Sequence, residues 1–170
     1  MNVKVQNIAY LLLGTNLGSR NKNLSAAIDK IGDKSLILSK SSIYSTAAWG
    51  LEDQEDFLNQ VVCIETSLNS FELLEDILEV EQKLGRERIQ KWGSRLIDID
   101  ILYFNDEILE TSKLIIPHPH IQNRRFTLVP LVEMIPDYIH PKLKKTNVEL
   151  LDECLDKLEV RVQVRTDLLF

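Results

Sequence analysis

The chain has 170 residues, a formal net charge of −6, 27% charged residues and 44% hydrophobic residues. That size and balance predict one globular domain spanning residues 1–170, with a substantial core. The acidic balance excludes a broad nucleic-acid-binding face, so any phosphate recognition has to be local.

In chain order, Ile8–Leu13 is apolar throughout, as expected of a central strand covered on both faces. It is too short to span a bilayer and runs into Gly14-Thr15-Asn16 rather than a small-residue cleavage site. The expectation is a cytoplasmic protein without a membrane partner. Lys22–Ile31 sets Leu24, Ala27, Ile28 and Ile31 on one helical stripe. Leu36–Tyr44 and Phe57–Thr66 read as strands. Asn69, with Glu72 three residues on, predicts a capped helix start. Leu73, Leu74, Ile77, Leu78 and Val80 carry that helix to about Leu84, and Gly85 ends it. Cys63 and Cys154 both fall in apolar patterns and read as reduced core residues.

The run from Arg95 to Tyr103 alternates Ile97, Ile99, Ile101 and Tyr103 with Leu96, Asp98, Asp100 and Leu102, a strand of period two. A hairpin is expected next at Asn105-Asp106, then a short helix over Thr127–Ile135 despite Pro130. Thr146 and Glu149 form a second capping box, opening a helix to about Leu158, and Val160, Val162 and Val164 alternate as a last strand. The order is β-α-β-β-α-β with C-terminal additions. It predicts an α+β, ferredoxin-like antiparallel sheet with helices on one face, a fold that by itself decides no chemistry.

The chemistry is concentrated around the aspartate strand. Residues i and i+2 of a strand share a face, so Asp98 and Asp100 can converge on one metal pair. A plain D-x-D on a polar edge strand is the bland alternative. What favours a site is the segment before it, where Arg86, Arg88, Lys91 and Arg95 oppose a single acid, Glu87. Gly85 and Gly93 flank those residues, as in a loop able to close, and guanidinium forks suit phosphate oxygens. Trp92 in the same loop is placed to cover a ligand.

Further on, His118, His120, Arg124 and Arg125 form a second basic group, read as a turn or phosphate contact because no third metal ligand stands at suitable spacing. The Gly14–Arg20 segment lacks the ending of a P-loop and reads as a strand-to-helix turn whose glycines serve positive φ. Phe57, Asn59 and Phe126 offer two flat rings and an amide, enough to hold a planar heterocycle, although core packing is the default for the rings.

The segment Lys91-Trp92-Gly93-Ser94-Arg95-Leu96-Ile97-Asp98-Ile99-Asp100 closely resembles the signature of the 6-hydroxymethyl-7,8-dihydropterin pyrophosphokinases of folate biosynthesis. The likeness extends in family order through Gly14-Thr15-Asn16-Leu17-Gly18-Ser19-Arg20, Tyr44-Ser45-Thr46, Asp56-Phe57-Leu58-Asn59, Glu81, Gly85-Arg86 and Arg88, Pro117-His118, and Asn123-Arg124-Arg125-Phe126. The resemblance implies diphosphate transfer from MgATP to the hydroxymethyl group of the dihydropterin, with release of AMP. It further implies that Asp98 and Asp100 bind two Mg²⁺ ions and that Arg86 and Arg95 serve the reacting phosphates. Glu81, Arg88, Trp92, His118 and Arg124 are implied on the ATP side. Thr46, Phe57, Asn59 and Phe126 are implied around the pterin. The partners expected are these small molecules, with no nucleic acid, and the chain is expected to act as a monomer.

The chain departs from the family pattern at Ala47-Ala48-Trp49, where prolines are frequent, and at Phe57, where tyrosine is common. Lys113, Ile115 and Pro119 stand in place of arginine, threonine and tyrosine. These positions bear on the expected ATP and pterin contacts and not on the aspartate pair. The alternatives weighed are a non-catalytic nucleotide-sensing module on the same scaffold and, further off, a two-metal nuclease, which the acidity disfavours.

Overall fold

The computed structural model describes residues 4–47, 55–85 and 96–164. Strand β1 (Asn7–Thr15) is followed by helix α1 (Arg20–Ile31), strands β2 (Leu36–Lys40), β3 (Ile43–Thr46) and β4 (Phe57–Thr66), helix α2 (Ser70–Lys83) and strand β5 (Asp98–Phe104). The added part holds the short strands β6 (Leu109–Glu110) and β7 (Ile115–Ile116), helices α3 (Arg125–Met134) and α4 (Asn147–Glu153), and strand β8 (Val160–Val164). The main sheet runs β5-β1-β4-β3-β8, with β2 also on β4, and every pair in it is antiparallel. This is the expected ferredoxin-like core.

Period-two alternation sorts the strands between two apolar layers. Ala9, Leu11, Leu13, Leu58, Val62, Ile64, Ile99 and Ile101 pack on the stripe of α1 and α2 that carries Leu24, Ala27, Leu73, Ile77 and Val80. Leu12, Val61 and Leu102 point the other way, into a second cluster with Leu128 and Leu131 of α3 and Leu150 of α4. Helices therefore cover both faces of the sheet, where the sequence predicts one. The added C-terminal helices supply the second layer.

Both capping boxes form. The Asn69 side chain accepts from Glu72 N and the Glu72 carboxylate from Asn69 N, and Thr146 and Glu149 repeat the exchange. Gly85, at φ +82°, supplies the left-handed residue that stops α2.

Three expectations need correction. Leu36–Tyr44 is two strands, because at Ser41 and Ser42 the chain turns to other partners: Ser41 Oγ accepts from Val61 N, and Ser42 N donates to Glu133. The turn at Asn105-Asp106 forms, with Glu107 N bonded to Phe104 O, but no hairpin follows, since β6 pairs with β7. Asn105 instead keeps to β1, exchanging bonds with Ile8 and Asn7. Finally, α4 ends at Glu153, because Asp156 leaves the helix line to accept from Arg125 N at 3.1 Å in the first turn of α3.

Candidate active site

One row of cross-strand neighbours builds the floor of the site. Asp98 on β5 lies opposite Gly14 on β1, Gly14 opposite Asn59 on β4, and Asn59 opposite Tyr44 on β3. Directly opposed residues share a face, so these four project from one side of the sheet. Asp100 belongs to the next row, opposite Leu12 and Val61, and Thr46 opposite Phe57 flanks the row on the other side. With strands about 4.8 Å apart, Asp98 and Asn59 are roughly 10 Å from each other, enough for one end of a ligand at each.

This is the face whose inner part is packed by α3 and α4. Gly14 lies within β1 and has no positive φ, so its glycine serves space and not a turn, contrary to the sequence reading. A Cβ there would lie 3.0 Å from Asn59 Oδ1. In the same segment Gly18 does take φ +66°, as the turn reading expects. Periodicity gave no signal for the role of Gly14, which only the strand register reveals.

The aspartates are half-buried on the strand, and the Asp100 side chain retains 33% exposure. His118 comes beside Asp100 because its backbone N–H bonds Leu102 O at 2.9 Å, laying the segment after β7 along β5. His118 Nε2 stands 3.9 Å from Asp100 Oδ2, too long for a hydrogen bond. Burial first, then Arg124 and His120, push the His118 pKa down to about 4, so the ring is neutral at pH 7. Its Nδ1 accepts from His120 N at 3.2 Å, which leaves the proton on Nε2, on the side of the aspartate.

Phe126 opens α3 at the margin of the second apolar cluster, and Arg124 Cζ lies 5.8 Å from its ring centroid. Asn59 is buried at 4% exposure with its amide 3.4 Å from Thr46 Oγ1, and Phe57 is half-buried. Tyr44, to which the sequence reading gave a place in the family pattern but no role, donates through its hydroxyl to Glu133 Oε2 at 2.5 Å, tying β3 to α3.

Glu81, expected on the ATP side, also bonds within the fold. It is 3% exposed on α2, and its Oε1 accepts from Ile99 N at 2.7 Å. Arg86, Arg88, Lys91, Trp92 and Arg95 of the basic segment, with Ala48 and Trp49, lie outside the described residues. Lys113 and Ile115 are described and exposed.

Among the described residues, no group of three or more His, Cys, Asp or Glu gathers as a cage for a metal ion. Two partly exposed carboxylates on one face fit Mg²⁺ nonetheless, because that ion keeps waters and takes substrate phosphate oxygens beside one or two carboxylates.

Residues 10–136 match the family described as 7,8-dihydro-6-hydroxymethylpterin-pyrophosphokinase. The chain is 47% identical over 132 residues to the 2-amino-4-hydroxy-6-hydroxymethyldihydropteridine pyrophosphokinase of Bacillus subtilis, covering 76% of this chain and 79% of that one. It is 43% identical over 144 residues to the enzyme of the same name from Aquifex aeolicus, covering 85% and 90%. In fold it is similar to a Plasmodium falciparum HPPK-DHPS crystallised with pteroate, at a TM-score of 0.71, 20% identity and 87% coverage of this chain. The chain spans only 42% of that longer protein.

Proposed function

Because the chain belongs to the 7,8-dihydro-6-hydroxymethylpterin-pyrophosphokinase family, we propose that the row from Asp98 to Tyr44 is the floor on which its two substrates meet. The reaction transfers diphosphate from ATP to the hydroxymethyl group of 6-hydroxymethyl-7,8-dihydropterin and releases AMP, a step of folate biosynthesis.

The observation that carries the site is the spacing of two unlike ends on one sheet face, a carboxylate pair on β5 and an amide with two aromatic rings near β4 and α3. Phe57 and Phe126 stack on the pterin, while Asn59 and Thr46 read its polar edge. Asp98 and Asp100 would hold Mg²⁺, two ions by the family pattern, at the phosphate end. When bound, the ions neutralise the phosphate oxygens and lower the pKa of the attacking hydroxyl. His118 directs the N–H of a neutral ring toward the same end, and Arg124 adds a permanent positive charge beside it. Arg86 and Arg95 on the reacting phosphates, with Arg88 and Trp92 on the nucleotide, complete the assignment from the family pattern.

Displacement at phosphorus calls on alignment and charge neutralisation more than on covalent help from the protein. No side chain is assigned as an essential general base, and the hydroxyl proton leaves through water. A single domain acting as a monomer in the cytoplasm is part of the same proposal, as is the lack of a nucleic-acid partner, which the net charge of −6 supports. Among the described residues no helix is long and apolar enough to cross a membrane.

Nucleotide product analysis with MgATP and the pterin alcohol tests the reading. AMP is the expected product, and ADP without AMP overturns it. A nucleotide-sensing module would release neither.

A further inference from the structure

We infer that Glu81 is a positioning residue for the aspartate pair, acting through the backbone of the residue between them. The inference rests on the metal-holding reading of Asp98 and Asp100. Strand β5 lies at the end of the sheet and, among the described residues, pairs with β1 alone. In an antiparallel strand successive N–H groups alternate between the partner and the outer side. Ile99 N points outward and meets Glu81 Oε1 at 2.7 Å. An outward amide at an edge is a weak point where a strand bends, bulges or frays. Here it falls between the two carboxylates.

The environment makes this bond stiff. Ile99 is 6% exposed, Ile97 is fully buried, and Glu81 is 3% exposed on the last turn of α2, whose Ile77 and Val80 pack in the same apolar layer as Ile99. A carboxyl oxygen accepting from a backbone N–H in such surroundings gives a short, directional bond. Ile99 turns its side chain toward α2 while Asp98 and Asp100 turn theirs to the opposite face. Fixing the Ile99 amide therefore fixes the extended geometry that sets the carboxylates roughly 6.5–7 Å apart by their Cα atoms. Glu81 approaches from behind the sheet and works on ions that it does not touch.

The direct-contact alternative, in which the charge of Glu81 serves the ATP side, makes a different prediction. Glutamine keeps a carbonyl acceptor for Ile99 N and removes the charge. Methionine keeps the length and apolar packing and removes the acceptor. Mn²⁺ binding in the presence of a non-hydrolysable ATP analogue, read by calorimetry, separates the two, alongside Ile99 amide exchange read by NMR.

Positioning expects Glu81→Met to weaken Mn²⁺ binding by about 10- to 100-fold, the usual cost of losing a group that orients a metal ligand. It expects Glu81→Gln to stay within about threefold of the parent, with the Ile99 amide still protected. Unchanged Mn²⁺ affinity in Glu81→Met overturns the inference. So does a Glu81→Gln protein that keeps Ile99 protected yet loses the metal, a result that needs no folded methionine variant. Asp98→Ala is the separate control: if it binds Mn²⁺ as the parent does, the metal reading of the strand fails, whatever Glu81 does.

Discussion

Gly14 and Asn59 face each other across β1 and β4 so closely that a methyl group on Gly14 would lie 3.0 Å from Asn59 Oδ1. The obstacle is the end of a side chain that can swing aside, so the fold can absorb the change. The recognition of a flat ligand edge cannot, because Asn59 would be displaced from its place beside Thr46. Gly14→Ala is expected to raise the pterin dissociation constant about tenfold, with a stability change within about 1 kcal/mol and nucleotide affinity unchanged. Calorimetry with each ligand, plus a urea melt, checks this.

Asp98 and Asp100 sit half-exposed on one face of an edge strand, so removing either carboxylate creates no cavity. Asp98→Ala and Asp100→Ala are each expected to lower AMP formation by at least about 100-fold while leaving the circular dichroism spectrum folded. A near-parental rate in either variant refutes the two-ion assignment.

Glu133 ties α3 to β3 and to the turn before it, beside the proposed pterin end. Its carboxylate accepts from Ser42 N at 3.0 Å, from Ser42 Oγ at 2.8 Å and from the Tyr44 hydroxyl at 2.5 Å. Tyr44 is 6% exposed, so Glu133→Ala takes an acceptor from a buried donor and should cost about 1–3 kcal/mol in a denaturant titration. Glu133→Gln, which can still accept, should lose less.

His140 sets an acid limit on the fold. It is 3% exposed and its Nδ1 accepts from Lys142 N and Leu143 N. Its Nε2 is buried with no hydrogen-bond partner among the described residues, beside the Tyr103 ring. Burial, with Lys142 nearby, pushes its pKa down to about 4. In the unfolded chain it titrates near 6.5, so as the pH falls the unfolded state takes up the proton first. Stability present above about pH 6.5 should decline by roughly 1–3 kcal/mol as the pH falls toward 4. His140→Gln should remove its share of that decline, leaving the part that His118, shifted in the same sense, contributes, measured as melting temperature against pH.

Much of this was legible in the residues themselves. Asp98 and Asp100 stood out because they interrupt an apolar alternation, and Asn69 and Thr146 announced helices through local chemistry that needs no tertiary partner. What escaped was set by partners distant in sequence. The break at Ser41-Ser42 depends on Val61 and Glu133, the early end of α4 on Arg125, and the meaning of Gly14 on strands 45 and 84 residues away by the pairings with Asn59 and Asp98. Glu81 entered the sequence reading only through the family likeness, as one acid among several on its helix. Only the fold shows that it reaches Ile99.

The face that carries Asp98, Gly14 and Asn59 continues, without a change of strand, into the wall of Leu12, Val61 and Leu102 packed by α3 and α4. Cohesion and the proposed recognition are thus two ends of a single plane, and α3 bears both Leu128 of the interior and Phe126 at its margin. A methylene trimmed from Leu128 would let that helix settle and tilt the Phe126 ring with it. Weakened scaffolds of this protein should accordingly lose their grip on the heterocycle well before they melt.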